Sequence, residues 1–361
     1  MNKFIVSGCC ALVSLAWCLT APVSAADAQT ETTGGDDNGK AVVPPRVVET
    51  KTHRLQEIVA GVYLAQSTAR LFNSNALVVV NDDDVLVVDS HITPTKAREL
   101  IRSIRKITRK PITTLINSHF HYDHAHGNQA FGEDVVIIGH EFTRMKMAGT
   151  PLQEHTFTGG RDRNIERLAQ LQQRYENESD KDKKAQLRAQ ADLLRAHVEA
   201  WEEIEPVAPN LTLKDRMTLY RGSREIQLHF FGRAHTGGDI VLYLPADKLA
   251  FTGDMALYGP SWLGDGYVDE WVETLENFKR LDFNIIVPGH GPAFAERRRI
   301  DLVQAFYTDL WQKVAAARSQ GLSVAEAAQQ IDMTNHLELG IVRVGFDQTG
   351  VARMYARMAA K

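Results

Sequence analysis

Residues 117–128 read NSHFHYDHAHGN and contain four histidines and one aspartate. His119 and His121 are two positions apart, so on an extended segment their side chains point to the same side. Asp123 and His124 follow after a turn and reach a second point. Imidazole and carboxylate groups are common ligands of divalent metals, so the stretch predicts two cations close together. Adventitious metal binding by a histidine-rich loop is the alternative.

Three further candidate ligands follow predicted strands later in the chain. His235 lies in FFGRAHTGG, Asp254 in AFTGDM and His290 in VPGHGP. Glycine beside a ligand lets the backbone turn sharply and approach closely. Each of these three motifs is weak evidence for a metal site by itself, and VPGHGP alone would fit an ordinary turn. Their order after the HxHxDH motif predicts one site assembled from several strand ends.

The order of these motifs resembles the metallo-β-lactamase superfamily. The match runs over about residues 55–295 and comprises HxHxDH, a later histidine, Gly-Asp and Pro-Gly-His-Gly. The resemblance implies an α+β fold, a four-layer αββα sandwich with the metals in a cleft at one edge of the paired sheets. It also implies that the ligands divide into His119, His121 and His235 for the first metal, Asp123, His124 and His290 for the second, and Asp254 as a bridge.

Two other residues are candidates for support of the metal ligands. Asp89 closes the strand VLVVD and matches a family aspartate that holds the metal loop, a role such sites generally need. A plain turn residue is the alternative. His126 stands where many relatives carry a small residue or glycine, and we expect a supporting donor or a solvated loop side chain. His-Thr-Gly-Gly at 235–238 replaces the frequent His-Thr-Pro-Gly and leaves the ligand in place.

The expected chemistry follows from the ligand types. Nitrogen and oxygen ligands suit zinc best, and such a pair also accepts iron or manganese. A bound water then has a pKa of about 7, so a metal-bridging hydroxide is available and no serine or cysteine nucleophile is needed. One metal would polarise the carbonyl and the other would hold the leaving group. Asp123 would, besides binding metal, orient the nucleophile.

The substrate is less well specified. The cysteine ligand of one large β-lactamase branch is absent, since Asp254 stands there, and the lysine expected three residues later is Leu257. A bridging aspartate looks more like thioester hydrolases and lactonases. The following loop carries Tyr258 and Trp262, which we consider for substrate contact because aromatic side chains often line apolar pockets. Packing is the alternative for both, and Trp271 is expected to pack against the following helix.

The first residues have the pattern of an export signal. Residues 1–25 contain an early lysine, an apolar run and a small-x-small site, which predicts cleavage after Ala25 and a periplasmic or secreted protein. A retained membrane anchor and a lipid anchor at Val6–Cys9 are alternatives, and we expect no stable anchor after cleavage. All cysteines lie in this segment, so the mature chain would have no disulfide: Cys9, Cys10 and Cys18.

The rest of the chain reads as one catalytic domain with additions. Strand-like runs alternate with helical ones, an Asn-Asp-Asp-Asp hairpin turn is predicted at 81–84, and a helix at 93–107 begins at Thr93 or Thr95. A charged helical hairpin, broken near ENESDKDKK, forms either a solvated insertion or a lid. The predicted segments are a flexible linker at 26–50, a metallo-β-lactamase-fold domain at 51–300 with an insertion at about 160–205, and a C-terminal helical segment at 301–361.

The composition limits the classes of binding partner that we expect. Hydrophobic residues make up 44% and charged residues 24% of the 361 residues, as in ordinary globular proteins, and the net charge is −4. This balance gives no general attraction for nucleic acid. We therefore expect a secreted zinc-dependent hydrolase that cleaves an ester, lactone, thioester or amide bond of a small molecule. An atypical β-lactamase and a non-catalytic metal-binding protein are alternatives, and the oligomeric state stays open.

Overall fold

The computed structural model describes residues 46–69 and 71–360. The predicted signal peptide and most of the predicted linker lie outside the described residues. The strands are β1 Val47–Glu49, β2 His53–Val59, β3 Val62–Ser67, β4 Ala76–Val80, β5 Val85–Val88, β6 Ile112–Ile116, β7 Val136–His140, β8 Leu211–Leu213, β9 Arg216–Arg221, β10 Arg224–His229, β11 Val241–Leu244, β12 Leu249–Gly253 and β13 Ile285–Pro288. The helices are α1 Pro94–Ile104, α2 Tyr122–Ala125, α3 Glu141–Ala148, α4 His155–Asn177, α5 Lys181–Glu199, α6 Val268–Phe278, α7 Arg298–Ser319, α8 Val324–Gln330 and α9 Gln348–Ala359.

The strands form two sheets. The first sheet has the order β1 to β8, and the second has the order β13-β12-β11-β10-β9. In the first sheet, β5 to β8 are mutually parallel. In the second sheet, β12 and β13 are parallel while the other neighbours are antiparallel. Because parallel strands end at the same edge of a sheet, the loops after β5 and β6 emerge together, as do those after β12 and β13.

Three apolar clusters define the layers. Leu64 of the first sheet and Phe251 of the second belong to one buried cluster between the sheets. The other face of the first sheet packs against Leu100 of α1, and the other face of the second packs against Trp271 of α6 and Phe306 of α7. Helix α1 thus packs on one side of the paired sheets and helices α6 and α7 on the other, and the predicted α+β fold with two sheets is confirmed.

Two local predictions are confirmed. The turn at 81–84 joins β4 to β5, which pair antiparallel with Val80 opposite Val85. Helix α1 has Thr93 as its N-cap, whose hydroxyl accepts a hydrogen bond from the Lys96 amide at 3.2 Å. This is the cap that orphan amides at a helix start require. The helix ends at Ile104, three residues before the predicted end.

The helical hairpin begins earlier than predicted. Helix α4 starts at His155 rather than near 160, and the break before α5 falls at 178–180, within ENESDKDKK. The two helices pack on each other through a small leucine cluster. At the two ends of the hairpin, Phe157 and Trp201 join Tyr122 in a second buried cluster on the sandwich domain. The hairpin is thus attached to the domain where it leaves and rejoins it.

The remaining boundaries differ by a few residues. Strand β1 lies inside the stretch predicted as linker, because Val47 pairs with Gln56 of β2 and so extends the sheet. The C-terminal helical segment begins with α7 at Arg298 and packs with α8 and α9 over the second sheet. No helix in the described residues is both long and apolar enough to cross a bilayer.

Candidate metal centre

Loops from both sheets bring the seven predicted ligands to one place. The loop after β6 carries His119 and His121, and α2 carries the next two ligands. From the second sheet, His235 lies between β10 and β11, Asp254 follows β12, and His290 follows β13. The ligand atoms form two separate groups, one of His119, His121 and His235 and one of Asp123, His124 and His290, and a third group of His119, His124 and Asp254 connects them; within each group the atoms lie within 4.8 Å of one another. The structure therefore brings together residues that are more than 170 positions apart in the chain.

The first group is composed of imidazoles alone. His119, His121 and His235 are buried and form one of the three groups. The Nδ1 atom of His121 lies 2.9 Å from Nε2 of His235. Burial lowers the pKa of His235 to about 3 and holds the pKa of His119 well below its ordinary value. The His119 and His235 rings are therefore neutral at pH 7, which is the form that binds a metal.

The second group combines one carboxylate with two imidazoles. The Oδ2 atom of Asp123 lies 3.2 Å from Nε2 of His124 and 3.0 Å from Nε2 of His290. The two imidazole Nε2 atoms are 3.3 Å apart. A nitrogen and oxygen set of this kind suits a divalent cation such as zinc.

Asp254 lies between the two groups. One carboxylate oxygen is 3.5 Å from Nε2 of His124, and the other is 3.7 Å from Nε2 of His235 and 3.4 Å from Nε2 of His290. Its carboxylate thus faces ligands of both groups. This is the position that a bridging ligand would need.

The residues fit a pair of bound cations. Nε2 of His119, Oδ2 of Asp123 and Oδ1 of Asp254 are buried atoms without a hydrogen-bond partner. Buried polar atoms without a partner are costly, so three of them among the candidate ligands fit a site built to hold cations. Burial lowers the pKa of His290, but Asp254 and Asp123 outweigh burial and raise it to about 10. Without metal, the carboxylates of Asp123 and Asp254 keep the His290 ring protonated. A bound cation would displace that proton.

Asp89 supports the loop from behind. Its carboxylate accepts hydrogen bonds from the Ser118 amide at 2.8 Å and the Ser118 hydroxyl at 2.7 Å, and lies 2.7 Å from Nδ1 of His124. Asp89 has a φ of 66°, a left-handed conformation that a non-glycine residue adopts only where its surroundings hold it. These are the contacts that a supporting role for Asp89 would need, and they turn Nε2 of His124 toward Asp123 and His290.

Asp265 is a functional candidate that sequence reasoning missed. Its Oδ2 atom lies 2.9 Å from Nε2 of His121, and its side chain is mostly buried. Burial raises the pKa of Asp265, but the hydrogen bond that its carboxylate accepts from His121 outweighs burial and lowers the pKa to about 2. His155, the first residue of α4, lies 3.8 Å from the other carboxylate oxygen. The only sequence signal was an acidic residue in the turn Gly264-Asp265-Gly266.

Two polar residues that the sequence did not single out order the ligand loops. The side-chain amide of Asn75 donates to the carbonyls of Pro288 and Gly291, each at 2.8 Å, and so holds the turn on both sides of His290. Asp239 accepts from the Thr236 amide at 2.9 Å and the Thr236 hydroxyl at 2.6 Å, next to His235. Both contacts fix a loop rather than a ligand ring.

His126 has a different environment from the solvated loop considered above. Its side chain is 2% exposed, and its ring packs 5.1 Å from Phe157 of the hairpin and 6.3 Å from Tyr122. Burial lowers the pKa of His126 to about 3. Because its neighbours are aromatic rings of the hairpin attachment, His126 contributes to packing there.

The aromatic residues border the site unequally. Trp262 is partly exposed, and its ring lies 5.7 Å from His121 and 6.5 Å from His235. The ring of Tyr258 instead contacts Phe294 and the Arg299 guanidinium, away from the ligands. Trp271 is fully buried in the core beside α7.

A second aromatic residue at the site was not anticipated. Phe72 is half-exposed and stacks on His290 with ring centres 5.2 Å apart. It lies in the loop between β3 and β4. Phe72 and Trp262 therefore contact ligands of different groups, and both present partly exposed apolar surface beside the centre.

Comparisons with known proteins agree with this geometry. The sequence profile of the metallo-β-lactamase superfamily matches residues 69–290. A linear primary-alkylsulfatase from Pseudomonas sp. is 23% identical over 271 residues, which cover 71% of this chain and 49% of that protein. A type 2 metallo-β-lactamase from Bacillus cereus is 25% identical over 224 residues, covering 60% of this chain and 67% of that protein.

Among solved structures, a stereoselective inverting sec-alkylsulfatase from Pseudomonas sp. is similar in fold. It superposes with a TM-score of 0.60 at 16% sequence identity, over 84% of this chain and 50% of that chain. The chain thus spans about half the length of both alkylsulfatases that it matches.

Proposed function

The chain belongs to the metallo-β-lactamase superfamily, and on this premise we propose that it is a secreted, zinc-dependent hydrolase of a small molecule. The scissile bond is an ester, lactone, thioester or amide. One observation carries the proposal: the Asp254 carboxylate lies within 3.7 Å of imidazole nitrogens from both ligand groups, and three buried ligand atoms have no hydrogen-bond partner. A protein that only stored a cation would have no need for this second group or for the shared carboxylate.

The side chains would have separate roles in hydrolysis. Two bound cations would supply Lewis acidity and a water activated at neutral pH. Oδ2 of Asp123, which is buried beside Nε2 of His124 and Nε2 of His290, would orient that water and accept its proton. Asp89 keeps Nδ1 of His124 occupied, so that Nε2 points to the ligand group. Trp262 and Phe72 would hold the apolar part of the substrate and exclude water beside the reacting bond.

A sulfate ester is a second candidate substrate. The similarity to a linear primary-alkylsulfatase and the two partly exposed aromatic rings beside the centre favour a substrate with an apolar chain. A β-lactam is a third, because type 2 metallo-β-lactamases are also relatives. The absence of the cysteine ligand and the presence of Leu257 weigh against it.

Two further parts of the proposal concern export and metal identity. Residues 1–25 have the pattern of a cleaved signal, which favours a periplasmic or secreted protein. The ligands are imidazoles and carboxylates, which favour zinc over metals that prefer thiolate or thioether ligands. Iron and manganese are the alternatives. Metal analysis of the protein purified from its native compartment tests both parts.

The deciding experiment measures turnover by the zinc-loaded protein on a panel of chromogenic substrates. The panel contains a cephalosporin, an aryl ester, a lactone, a thioester and an aryl or alkyl sulfate. We expect one class to be hydrolysed well above the Asp123→Ala blank, which should lose most turnover. Asp162→Ala, an exposed carboxylate of α4, serves as the matched control and should retain wild-type rates.

Two results would overturn the proposal. Full activity in Asp123→Ala would remove the residue from the mechanism. A protein that holds two metals but hydrolyses none of the panel would instead favour a metal-binding protein without turnover.

A further inference from the structure

The two ring nitrogens of His121 have different partners. Nδ1 lies 2.9 Å from Nε2 of His235 and faces the first ligand group. Nε2 lies 2.9 Å from the Asp265 carboxylate, which can only accept a hydrogen bond. The Nε2 atom therefore carries the proton, and the lone pair on Nδ1 points to the metal position. Such a carboxylate partner fixes both the tautomer and the orientation of a ligating imidazole.

The loop that carries Asp265 also touches a second ligand of the same group. The carbonyl of Trp262 lies 3.0 Å from Nδ1 of His235, and the Ser261 hydroxyl lies 3.2 Å from the same atom. One short loop after β12 thus orients two of the three imidazoles. Gly264 makes this path possible, because a Cβ there would lie 2.0 Å from the Trp262 ring.

The helical hairpin reaches the same carboxylate. His155 places Nε2 3.8 Å from Oδ1 of Asp265, and its ring lies 5.7 Å from that of Trp262. The residue before it, Glu154, is paired with Lys146 at 2.9 Å, which anchors the start of α4. The first turn of the hairpin is thereby held against the loop that supports the first ligand group.

We propose that Asp265 is a positioning residue for the first metal, acting through His121, and that His155 makes the hairpin a structural part of the metal centre. Neither a solvated hairpin nor a freely opening lid requires this contact. The inference rests on the proposed function only in that metals are bound. It is therefore tested on metal affinity and not on turnover.

The experiment measures stepwise zinc affinity by competition with a chromophoric chelator, together with the absorption spectrum of the cobalt-substituted protein. We compare Asp265→Ala, Asp265→Asn and His155→Ala with wild type. Asp162→Asn and Gln172→Ala, both exposed on α4, are the matched controls. Circular dichroism checks that each variant is folded. If Asp265→Ala does not fold, Asp265→Asn still tests the inference, because it keeps the shape of the side chain and an acceptor oxygen.

We expect Asp265→Ala to weaken one zinc site by about 10- to 100-fold while the other keeps its affinity, as for other supporting residues of metal sites. Asp265→Asn should lose less, because it still accepts from His121 without the charge. His155→Ala should weaken the same site several-fold and shift the cobalt spectrum, and the controls should do neither. The proportion of the His121 tautomers, read by nitrogen-15 NMR of the metal-free protein, should change in Asp265→Ala.

The inference fails if the Asp265 and His155 variants match wild type in both zinc steps and in the cobalt spectrum. It also fails if wild type binds no metal, or if both sites weaken equally in every variant. Normal zinc steps without turnover on any substrate would overturn the proposed function alone. The two failures are thus distinguishable.

Discussion

At the scale of single residues, Gly289 shows how little room the centre leaves. A Cβ at this position would lie 2.2 Å from Oδ1 of Asp254 and 2.8 Å from Cε1 of His124. Both atoms belong to candidate ligands, and neither can move without disturbing the other group. The glycine between Pro288 and His290 is therefore set by space within the metal centre.

We expect Gly289→Ala to displace the Asp254 carboxylate and reduce zinc affinity and turnover by at least about 10-fold, because misplaced ligands lose metal affinity on that scale. Chelator competition and substrate turnover measure the two effects. Gly259→Ala is the control, since a Cβ there has no neighbour within 4 Å. Wild-type affinity in Gly289→Ala would show that the loop after β13 adjusts and that space is not the constraint.

The seven ligand candidates could be predicted because each belongs to a short motif whose residue types and order are informative. Asp265 could not, because its role depends on the path of a loop that brings it to His121, more than 140 positions away. The contact of Phe72 with His290 could not be predicted for the same reason. A supporting residue has no spacing rule relative to the residue that it supports, so only the fold reveals it.

At the scale of elements, the helical hairpin depends on a buried histidine. The indole of Trp201 donates to Nε2 of His197 at 3.3 Å, and both side chains are buried. Burial, followed by the charge of Lys96, lowers the pKa of His197 to about 4. The accepting Nε2 must stay unprotonated for this contact to persist. The end of the hairpin is therefore sensitive to acid.

The sign of the effect follows from the direction of the shift. The folded-state pKa of His197 lies below the ordinary value of 6.5, so its stabilisation is complete above pH 6.5 and is lost as pH falls through 4. The loss amounts to about 3 kcal/mol at about 1.4 kcal/mol per pKa unit. His197→Gln keeps an acceptor for Trp201 but does not titrate, so its free energy of unfolding should fall less over this range.

Urea unfolding at a series of pH values measures the difference between wild type and His197→Gln. Other histidines with a lowered pKa, such as His53 and His229, titrate in both proteins and cancel in that difference. Parallel pH profiles for the two proteins would show that His197 does not control the hairpin.

Boundaries of elements were predicted less well than their existence. Helix α4 begins at His155 because the chain there already packs on the domain through Phe157. The sequence around Phe157 does not indicate this contact. Strand β1 was predicted as linker because Val47–Glu49 is short, and its structure comes from pairing with β2. In both cases a tertiary contact determines the local structure.

At the scale of the whole molecule, the metal centre joins the two sheets. The ligands after β6 belong to the first sheet, whereas His235, Asp254 and His290 belong to loops of the second. A cation held by ligands from both sheets binds only when the sheets are packed together. Metal binding should therefore be linked to the stability of the entire sandwich rather than to a single loop.

We expect added zinc to stabilise the folded protein by about 2.7 kcal/mol for each site at a free concentration of 100 times its dissociation constant. This corresponds to an increase in Tm of about 5 °C per site. Calorimetry with zinc and with a chelator measures the change. His119→Ala should lose the increase from the first site and keep that from the second, since His119 is not a member of the group formed by Asp123, His124 and His290. An equal Tm with zinc and with chelator in wild type would mean that the sheets are held together independently of the metals, and that the centre is formed by loops which unfold on their own.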